Sequence, residues 1–204
     1  ELDDAGLADT TLVLFLSENG MAFPFSKTNC YLNSTRTPLI ARWPGVTEPG
    51  VYDECHFVSG IDLTPTVLDI AGLDPIEEAD GSSFANVLRA EKDATRDRVF
   101  TVFHKTSAGN AYPMRAVQTE RFGYIYNAWS DGKTVFKNES QSGLTWKTME
   151  AAAKEDEDVE ARARQFQYRT PEELYAFRND PDGLNNLIDD PDQQSRVSEF
   201  RKML

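Results

Sequence analysis

Three polar side chains near the start of the chain have the types and spacing of a metal or anion site. Glu18 and Asn19 follow directly after an apolar run, and Lys27 comes eight residues after Asn19 in a proline-containing loop. A carboxylate beside a carboxamide offers the hard oxygen ligands that Ca²⁺ or Mg²⁺ prefers, and a nearby ammonium could neutralise a bound oxyanion. Taken singly, each residue fits an ordinary polar turn or a solvated loop lysine, so the hypothesis depends on the three lying together.

The elements that would position these residues are predicted by the apolar pattern. Residues 10–17 form a nearly continuous apolar run, typical of a strand buried on both faces in a parallel sheet. Ligands collect beyond the carboxyl ends of such strands, and Glu18 and Asn19 hold that position. Residues 38–43 predict a second strand. Residues 62–72 predict a packed helix with Asp62 as its N-cap and Gly72 just past its end.

The second half of the chain has a different texture. Apolar segments at 99–103, 114–118 and 122–127 predict strands, the last two as a hairpin, and 173–177 predicts another strand. Residues 150–165 predict an exposed helix, and an amphipathic helix is expected after Pro191. We therefore expect the C-terminal part of a doubly wound α/β sheet domain at 1–97, followed by a small α+β domain at 98–204 with an antiparallel sheet and a C-terminal helix.

Composition limits the classes of partner. The 204 residues carry a net charge of −13, which disfavours non-specific binding to nucleic acid or to an anionic membrane surface. No apolar run approaches the ~20 residues that span a bilayer, so no membrane span is expected. Cys30 and Cys55 have no metal-ligand spacing and allow at most one disulfide, which leaves the redox compartment open.

Seven segments in order along the chain resemble the sulfatases of the alkaline phosphatase superfamily. The matching stretches are Leu16–Gly20, Lys27–Asn29, Thr35–Ile40, Ser59–Thr66, Asp80–Phe84, Tyr112–Val117, and Glu173–Tyr175 through Asn185–Leu187. The Tyr-Pro-Met-Arg segment from Tyr112 is most similar to the sulfamidase (heparan N-sulfatase) branch. The resemblance adds the alkaline-phosphatase-like form of the sheet domain to the fold expectation.

The resemblance implies roles for individual residues. The family's Ser-Asp-Asn-Gly motif supplies calcium ligands, which assigns Glu18 and Asn19 to Ca²⁺, with Mg²⁺ as the alternative; Glu18 stands where the family has the shorter aspartate. Lys27 matches the family's basic residue that contacts the sulfate group and is the catalytic candidate. His104 follows a predicted strand of the small domain, which borders the pocket in the family, so it is a candidate for substrate contact. A neutral surface histidine is the alternative.

The family's nucleophile is absent from this chain. Sulfatases use a formylglycine made from a Cys/Ser-x-Pro-x-Arg motif, and neither Cys30 nor Cys55 stands in that motif. The resemblance therefore implies a C-terminal half whose partner is the missing N-terminal half. The complete protein would hydrolyse sulfate esters or sulfamates on glycans, as an N-sulfoglucosamine sulfohydrolase does, and this chain alone would be inactive.

Two other functions stay open at this point. One is a phosphate or phosphonate monoesterase of the same superfamily, and the other is a non-catalytic remnant that binds sulfated glycans. The resemblance suggests a periplasmic, secreted or lysosomal location, but the residues themselves assign no compartment.

Overall fold

The computed structural model describes residues 1–204, which form two compact units. The first unit comprises Glu1–Glu18 and Pro38–Val99, and the second comprises Asn19–Thr37 and Phe100–Leu204. The strands are β1 (Val13–Leu16), β2 (Leu39–Arg42), β3 (Arg98–Lys105), β4 (Ala111–Thr119), β5 (Gly123–Asn127) and β6 (Glu172–Tyr175). The α-helices are α1 (Leu32–Thr35), α2 (Leu63–Ile70), α3 (Ala85–Leu88), α4 (Leu144–Ala152), α5 (Glu157–Tyr168) and α6 (Gln194–Met203).

The first unit contains a two-stranded sheet of β1 and β2. The strands pair antiparallel, with Val13 opposite Arg42 and Leu16 opposite Leu39. Both predicted strands are confirmed, but the expected parallel pairing is wrong for this sheet. The expected burial of β1 on both faces is not reached in this chain, where Phe15 is 62 % exposed. An apolar run favours an extended backbone, whereas burial requires neighbouring strands and helices, and β2 is the one strand paired with β1.

The predicted helix at 62–72 is confirmed as α2, and Gly72 follows it with a φ of +66°. Its N-terminus differs from the expectation. Asp62 does not cap α2 with its side chain; it closes the preceding 3₁₀ turn, in which Ser59 and Asp62 cap each other's backbone N–H groups. The side chain buried in α2 is that of Thr66. Its hydroxyl donates to the Asp62 carbonyl and accepts from the Phe84 N–H.

A buried ion pair joins the segments of the first unit around Asp62. Its carboxylate accepts from the backbone N–H groups of Ser59 and Ser82 and from Arg96, at 2.9 Å each. Gly81 fits beside this pair because a Cβ there would lie 2.2 Å from the Ile61 carbonyl oxygen. Two of the family-like segments, 59–66 and 80–84, are therefore held together as one structural unit.

The second unit is built on a four-stranded antiparallel sheet in the order β3-β4-β5-β6. The predicted hairpin is confirmed, with Met114 opposite Asn127 and Gln118 opposite Gly123. One face packs into a large core that includes Met114, Ile125 and Tyr175. The other face is covered at β4, β5 and β6 by Val197 and Phe200 of α6, which confirms the predicted C-terminal helix.

The predicted helix at 150–165 is instead two helices. α4 ends at Ala152, and α5 begins at Glu157 after Asp156, whose carboxylate caps the N–H groups of Asp158 and Val159. The Ala- and Glu-rich stretch has uniform helix propensity, which hides this break. Within the predicted range the one buried residue of α5 is Ala163, and Phe166, just beyond that range, is fully buried in the core.

The mixed α/β class with antiparallel sheets and a C-terminal helix is confirmed. The proposed division at residue 97 into part of a catalytic domain and a small domain stays a prediction. None of the helices is both long enough and apolar enough to cross a membrane.

Candidate functional site

The segment from Asn19 folds back on itself directly after the motif glycine. A Cβ on Gly20 would lie 2.2 Å from the Ser26 carbonyl oxygen and 2.5 Å from that of Asn33. A glycine is therefore required for this close approach of two backbone segments. It places Asn19, which precedes Gly20, near Lys27, which follows Ser26. Asn19 and Lys27 both belong to the second unit, while Glu18 is an exposed residue of the first unit.

The Lys27 ammonium forms an ion pair with Glu139. Lys27 Nζ lies 2.6 Å from Glu139 Oε1, and the two side chains are 34 % and 41 % exposed. Glu139 is the first residue of a 3₁₀ turn, Glu139–Ser142, which Asn138 and Gln141 close with a capping box. The candidate cation therefore already has an anionic partner within its own unit.

Asn138 ties the backbone on both sides of this ion pair. Its amide nitrogen donates to the Thr28 hydroxyl at 2.6 Å and to the Lys27 carbonyl at 3.4 Å. Its amide oxygen accepts from the N–H and the hydroxyl of Ser140. One side chain thus fixes both the loop that bears Lys27 and the turn that bears Glu139.

The loop around Lys27 has a backbone conformation that is uncommon for its residues. Phe25 and Thr28 have φ of +63° and +60°, and non-glycine residues rarely adopt this region, above all when β-branched. Such conformations cost roughly 1–3 kcal/mol each and persist only where the surroundings enforce them. The strain on either side of Lys27 shows that tertiary contacts hold this loop in place.

Those contacts come from the core of the second unit. The Phe25 ring packs edge-on against Tyr31 and Phe166, with centroids 5.0 and 5.1 Å apart. The Arg162 guanidinium lies 3.6 Å from the Phe25 ring centroid, within the range of a cation–π interaction. Phe25 therefore packs between Tyr31 and the α5 residues Phe166 and Arg162. Lys27 follows Phe25 by two residues in the same loop.

Tyr31 anchors the end of the loop on a buried carboxylate. Glu173, 1 % exposed, accepts hydrogen bonds from the hydroxyls of Tyr31 and Tyr175, each at 2.5 Å, and from the Asn127 amide at 2.6 Å. Burial, together with the Glu173 charge, raises the pKa of both phenols well above the ordinary tyrosine range. The phenols therefore stay protonated and continue to donate to the carboxylate.

Arg169 is the cation of this buried region, but it does not pair with Glu173. It is 4 % exposed, its Nε donates to the Phe166 carbonyl, and both terminal nitrogens lack a hydrogen-bond partner. Its guanidinium carbon lies 4.8 to 5.6 Å from the centroids of four rings, those of Phe25, Tyr31, Phe136 and Phe166. Cation–π attraction to these rings stabilises the charge and holds the two loop aromatics against the core.

His104 lies on β3, and its side chain is exposed and makes no hydrogen bond. Along β3 it alternates with the neighbouring Phe103, which packs against the core. His104 therefore points to the opposite face of the sheet, together with the exposed Phe100 and Val102. The close approach of Gly20 to Ser26 concerns the neighbours of Asn19 and Lys27, whereas His104 lies on the exposed face of β3.

Glu18 and Asn19 fit a hard divalent cation in donor chemistry, since they offer a carboxylate and an amide oxygen. No group of three or more His, Cys, Asp or Glu side chains in the chain could hold a metal ion. Ca²⁺ takes about six to eight oxygen ligands. Two residues can therefore form only part of such a site.

Several residues of this region were not singled out from the sequence. Asn138 and Glu139 had one local signal, the Asn-x-x-Gln spacing of a capping box from Asn138 to Gln141. No local signal indicates that this turn meets Lys27, because 112 positions separate Lys27 from Glu139. The burial of Arg169 among aromatic rings and of Glu173 beneath the Tyr31 hydroxyl likewise depends on long-range packing.

Comparison with known proteins identifies the family. Residues 20–137 match the family described as N-sulphoglucosamine sulphohydrolase, C-terminal. The human N-sulphoglucosamine sulphohydrolase is 32 % identical over 226 residues, which cover 100 % of this chain and 42 % of that protein. An ulvan-active sulfatase of Formosa agariphila is 28 % identical over 208 residues, covering 100 % of this chain and 34 % of that protein. The chain thus spans well under half the length of these relatives.

Solved structures share the fold. A protein determined in complex with its substrate D-glucosamine-2-N,6-O-disulfate superposes with a TM-score of 0.67 at 20 % identity, covering 100 % of this chain and 35 % of that one. A phosphonate monoester hydrolase from Silicibacter pomeroyi also gives 0.67, at 18 % identity, covering 99 % and 35 %. The chain belongs to the sulfatase family, and it corresponds to the C-terminal segment of the N-sulphoglucosamine sulphohydrolases.

Proposed function

We propose that this chain is the C-terminal part of a sulfatase that hydrolyses sulfate esters or sulfamates on glycans, with N-sulfated glucosamine as the preferred substrate. The match of the whole chain to 42 % of a human N-sulphoglucosamine sulphohydrolase supports the substrate class. The observation that supports the site is the close approach of the Gly20 and Ser26 backbones, because Asn19 directly precedes Gly20 and Lys27 directly follows Ser26 in the sequence.

Lys27 is the residue of this chain that acts on the substrate in the proposal. Its ammonium stabilises negative charge on the sulfuryl oxygens, and the strained loop fixes the position of that charge before substrate arrives. Glu18 and Asn19 supply oxygen ligands to Ca²⁺, with Mg²⁺ as the alternative, and the bound cation would polarise the sulfuryl group. His104 contacts the sugar rather than the sulfuryl group.

The remaining machinery belongs to the N-terminal part of the same protein. That part provides the formylglycine nucleophile and the other metal ligands, so the present chain alone does not turn over substrate. The purified chain should release no sulfate from an aryl sulfate above the buffer rate. Metal-dependent release by the chain would show that the nucleophile lies within these residues.

The central test is Lys27→Ala in the full-length protein, with sulfate release from N-sulfoglucosamine as the measurement. We expect kcat/KM to fall by about 10²–10³, the typical effect of removing one preorganised charge-stabilising donor. The unfolding free energy should change little, because exposed ion pairs contribute only ~0–1 kcal/mol. Lys27→Arg keeps the charge but changes its geometry, so it should recover part of the activity.

Lys147→Ala is the matched control, because Lys147 is an exposed lysine of the same unit. It should leave turnover unchanged. Near-normal turnover by Lys27→Ala would instead assign Lys27 to a solvated loop. A preference for phosphonate monoesters over sulfated sugars would favour the esterase alternative, which the phosphonate monoester hydrolase fold neighbour keeps in view. Binding of sulfated glycans without turnover would identify a non-catalytic remnant.

The metal and sugar roles have separate tests. Chelation of divalent cations should abolish turnover and Ca²⁺ should restore it, while Glu18→Ala should raise the Ca²⁺ concentration needed for half-maximal activity.

His104→Ala should raise KM for the sugar substrate and leave kcat near its original value, because a sugar contact contributes to binding alone. An unchanged KM would return His104 to a surface role.

A further inference from the structure

The ion pair between Lys27 and Glu139 is partly exposed, but its geometry is more fixed than that of an ordinary surface pair. Most exposed pairs hold two long, mobile side chains and contribute little. Here the Asn138 side chain bonds to the Lys27 carbonyl and the Thr28 hydroxyl while it also caps the turn that begins at Glu139. Asn138 therefore fixes the backbone segments that carry Lys27 and Glu139 to each other. This fixes the position of the 2.6 Å contact between Lys27 Nζ and Glu139 Oε1.

We infer that Glu139 is a specificity-determining residue, a built-in counter-ion that an anionic substrate group must displace from Lys27. The inference rests on the proposed function of Lys27. A sulfuryl oxygen that approaches the ammonium enters the field of a carboxylate whose oxygen lies 2.6 Å from the same nitrogen. The carboxylate lowers the affinity for every anion at this position, so binding depends on the additional contacts that a sulfated sugar makes and a small free anion lacks.

This arrangement has an electrostatic consequence with a definite sign. Removal of the Glu139 charge removes a repulsion from an anion bound at Lys27, so anion binding becomes tighter. Two unit charges about 5 Å apart near a protein surface interact strongly enough to change an affinity by about 3–10-fold after partial screening. A purely structural role predicts the opposite sign, because a loosened Lys27 would bind anions less well.

The test measures inhibition of the full-length protein by inorganic sulfate, alongside KM and kcat for N-sulfoglucosamine. In Glu139→Gln the inhibition constant for sulfate should fall by about 3–10-fold. KM should fall in parallel and kcat should stay unchanged. The effect should shrink in high salt, since the pair is partly exposed. Glu139→Asp keeps the charge and should stay near the original inhibition constant.

A matched control separates this local effect from the change in net charge. Glu120 forms a 2.6 Å ion pair with Arg178 in the same unit, with side chains 64 % and 62 % exposed. Glu120→Gln removes the same charge from the chain and should leave sulfate inhibition unchanged. If Glu139→Gln behaves like Glu120→Gln, or weakens sulfate binding, the inference is overturned.

The double variant Lys27→Ala/Glu139→Gln tests whether Glu139 acts through Lys27. Without the ammonium there is no bound anion for Glu139 to oppose, so adding Glu139→Gln to Lys27→Ala should bring no gain in sulfate affinity. A gain of the full size would show that Glu139 acts independently of Lys27. If Lys27→Ala alone leaves turnover and sulfate inhibition intact, the proposed function of Lys27 fails, whereas a large Lys27→Ala effect with a silent Glu139→Gln removes this inference only.

Discussion

Each unit buries one guanidinium, and the two are stabilised in different ways. In the first unit, Arg96 makes two hydrogen bonds through Nη1 and three through Nη2, one of them to the Asp62 carboxylate. Its Nε lies 3.4 Å from Asp93 Oδ2 without hydrogen-bond geometry. In the second unit, Arg169 makes one hydrogen bond, to Phe166, and its terminal nitrogens face aromatic rings.

Arg96 acts as a structural cross-link between backbone segments, whereas Arg169 acts through contacts with aromatic rings. Arg96 satisfies carbonyl and carboxylate oxygens from several segments, so its loss would leave the Asp62 charge buried. Arg169 satisfies one carbonyl, while the nearby Glu173 carboxylate has three donors of its own. Loss of Arg169 therefore breaks no ion pair in the second unit.

Arg96→Met should have the largest effect on stability. It leaves Asp62 with two backbone donors but without its cation, and the removal of one partner of a buried ion pair typically costs about 3–5 kcal/mol. Urea unfolding measures the loss. The same substitution at Arg178, which is 62 % exposed, should cost less than ~1 kcal/mol. Equal losses for the two variants would contradict the cross-link role of Arg96.

Arg169→Met should cost less, about 1–2 kcal/mol. The lost cation–π attraction is partly offset because a desolvated guanidinium no longer has to be buried. The same urea titration provides the measurement. A loss as large as that of Arg96→Met would mean that Arg169 and Glu173 depend on each other as Arg96 and Asp62 do, and the contrast between the units would fail.

Thiol labelling of Cys30 should detect whether Arg169 holds the surrounding loop against the core. Cys30 is 3 % exposed and burial raises its thiol pKa to about 12, whereas Cys55 is exposed. The thiolate is the reactive form, so Cys55 should be labelled quickly in the native protein and Cys30 slowly. Arg169→Met should speed the labelling of Cys30, and Arg178→Met should not. Unchanged protection of Cys30 in Arg169→Met would indicate that the aromatic rings hold the loop without the cation.

The smallest effect concerns Asp93, whose Oδ2 lies 3.4 Å from Arg96 Nε. Hydrogen bonds from Thr95 and Asn86 lower the pKa of the Asp93 carboxyl to about 2. Since the folded-state pKa is depressed, its stabilisation is complete above the unfolded value of ~4 and is lost as the pH falls toward 2. The stability difference between the original protein and Asp93→Asn should shrink across that window in urea titrations. A difference that is constant with pH would exclude this contribution.

The antiparallel sheet of the second unit could be predicted from local patterns. The β4–β5 hairpin, β6 and α6 appeared where apolar alternation and helical spacing placed them, because these elements are specified by residues close together in sequence. The break between α4 and α5 was missed. Its signal is the single N-cap residue Asp156, within a stretch of uniform helix propensity.

The sequence by itself determined the family and the polar residue types of the candidate site, because Glu18, Asn19, Gly20 and Lys27 stand close together in one short segment. Only the tertiary structure decided that Gly20 must be glycine, since the Ser26 and Asn33 carbonyls that exclude a side chain are brought there by the folded loop. It also decided the partner of Lys27, because Glu139 is remote in sequence and comes within 2.6 Å only through packing. Local patterns specify helices and strands, whereas the contacts between distant charges depend on how the whole chain folds.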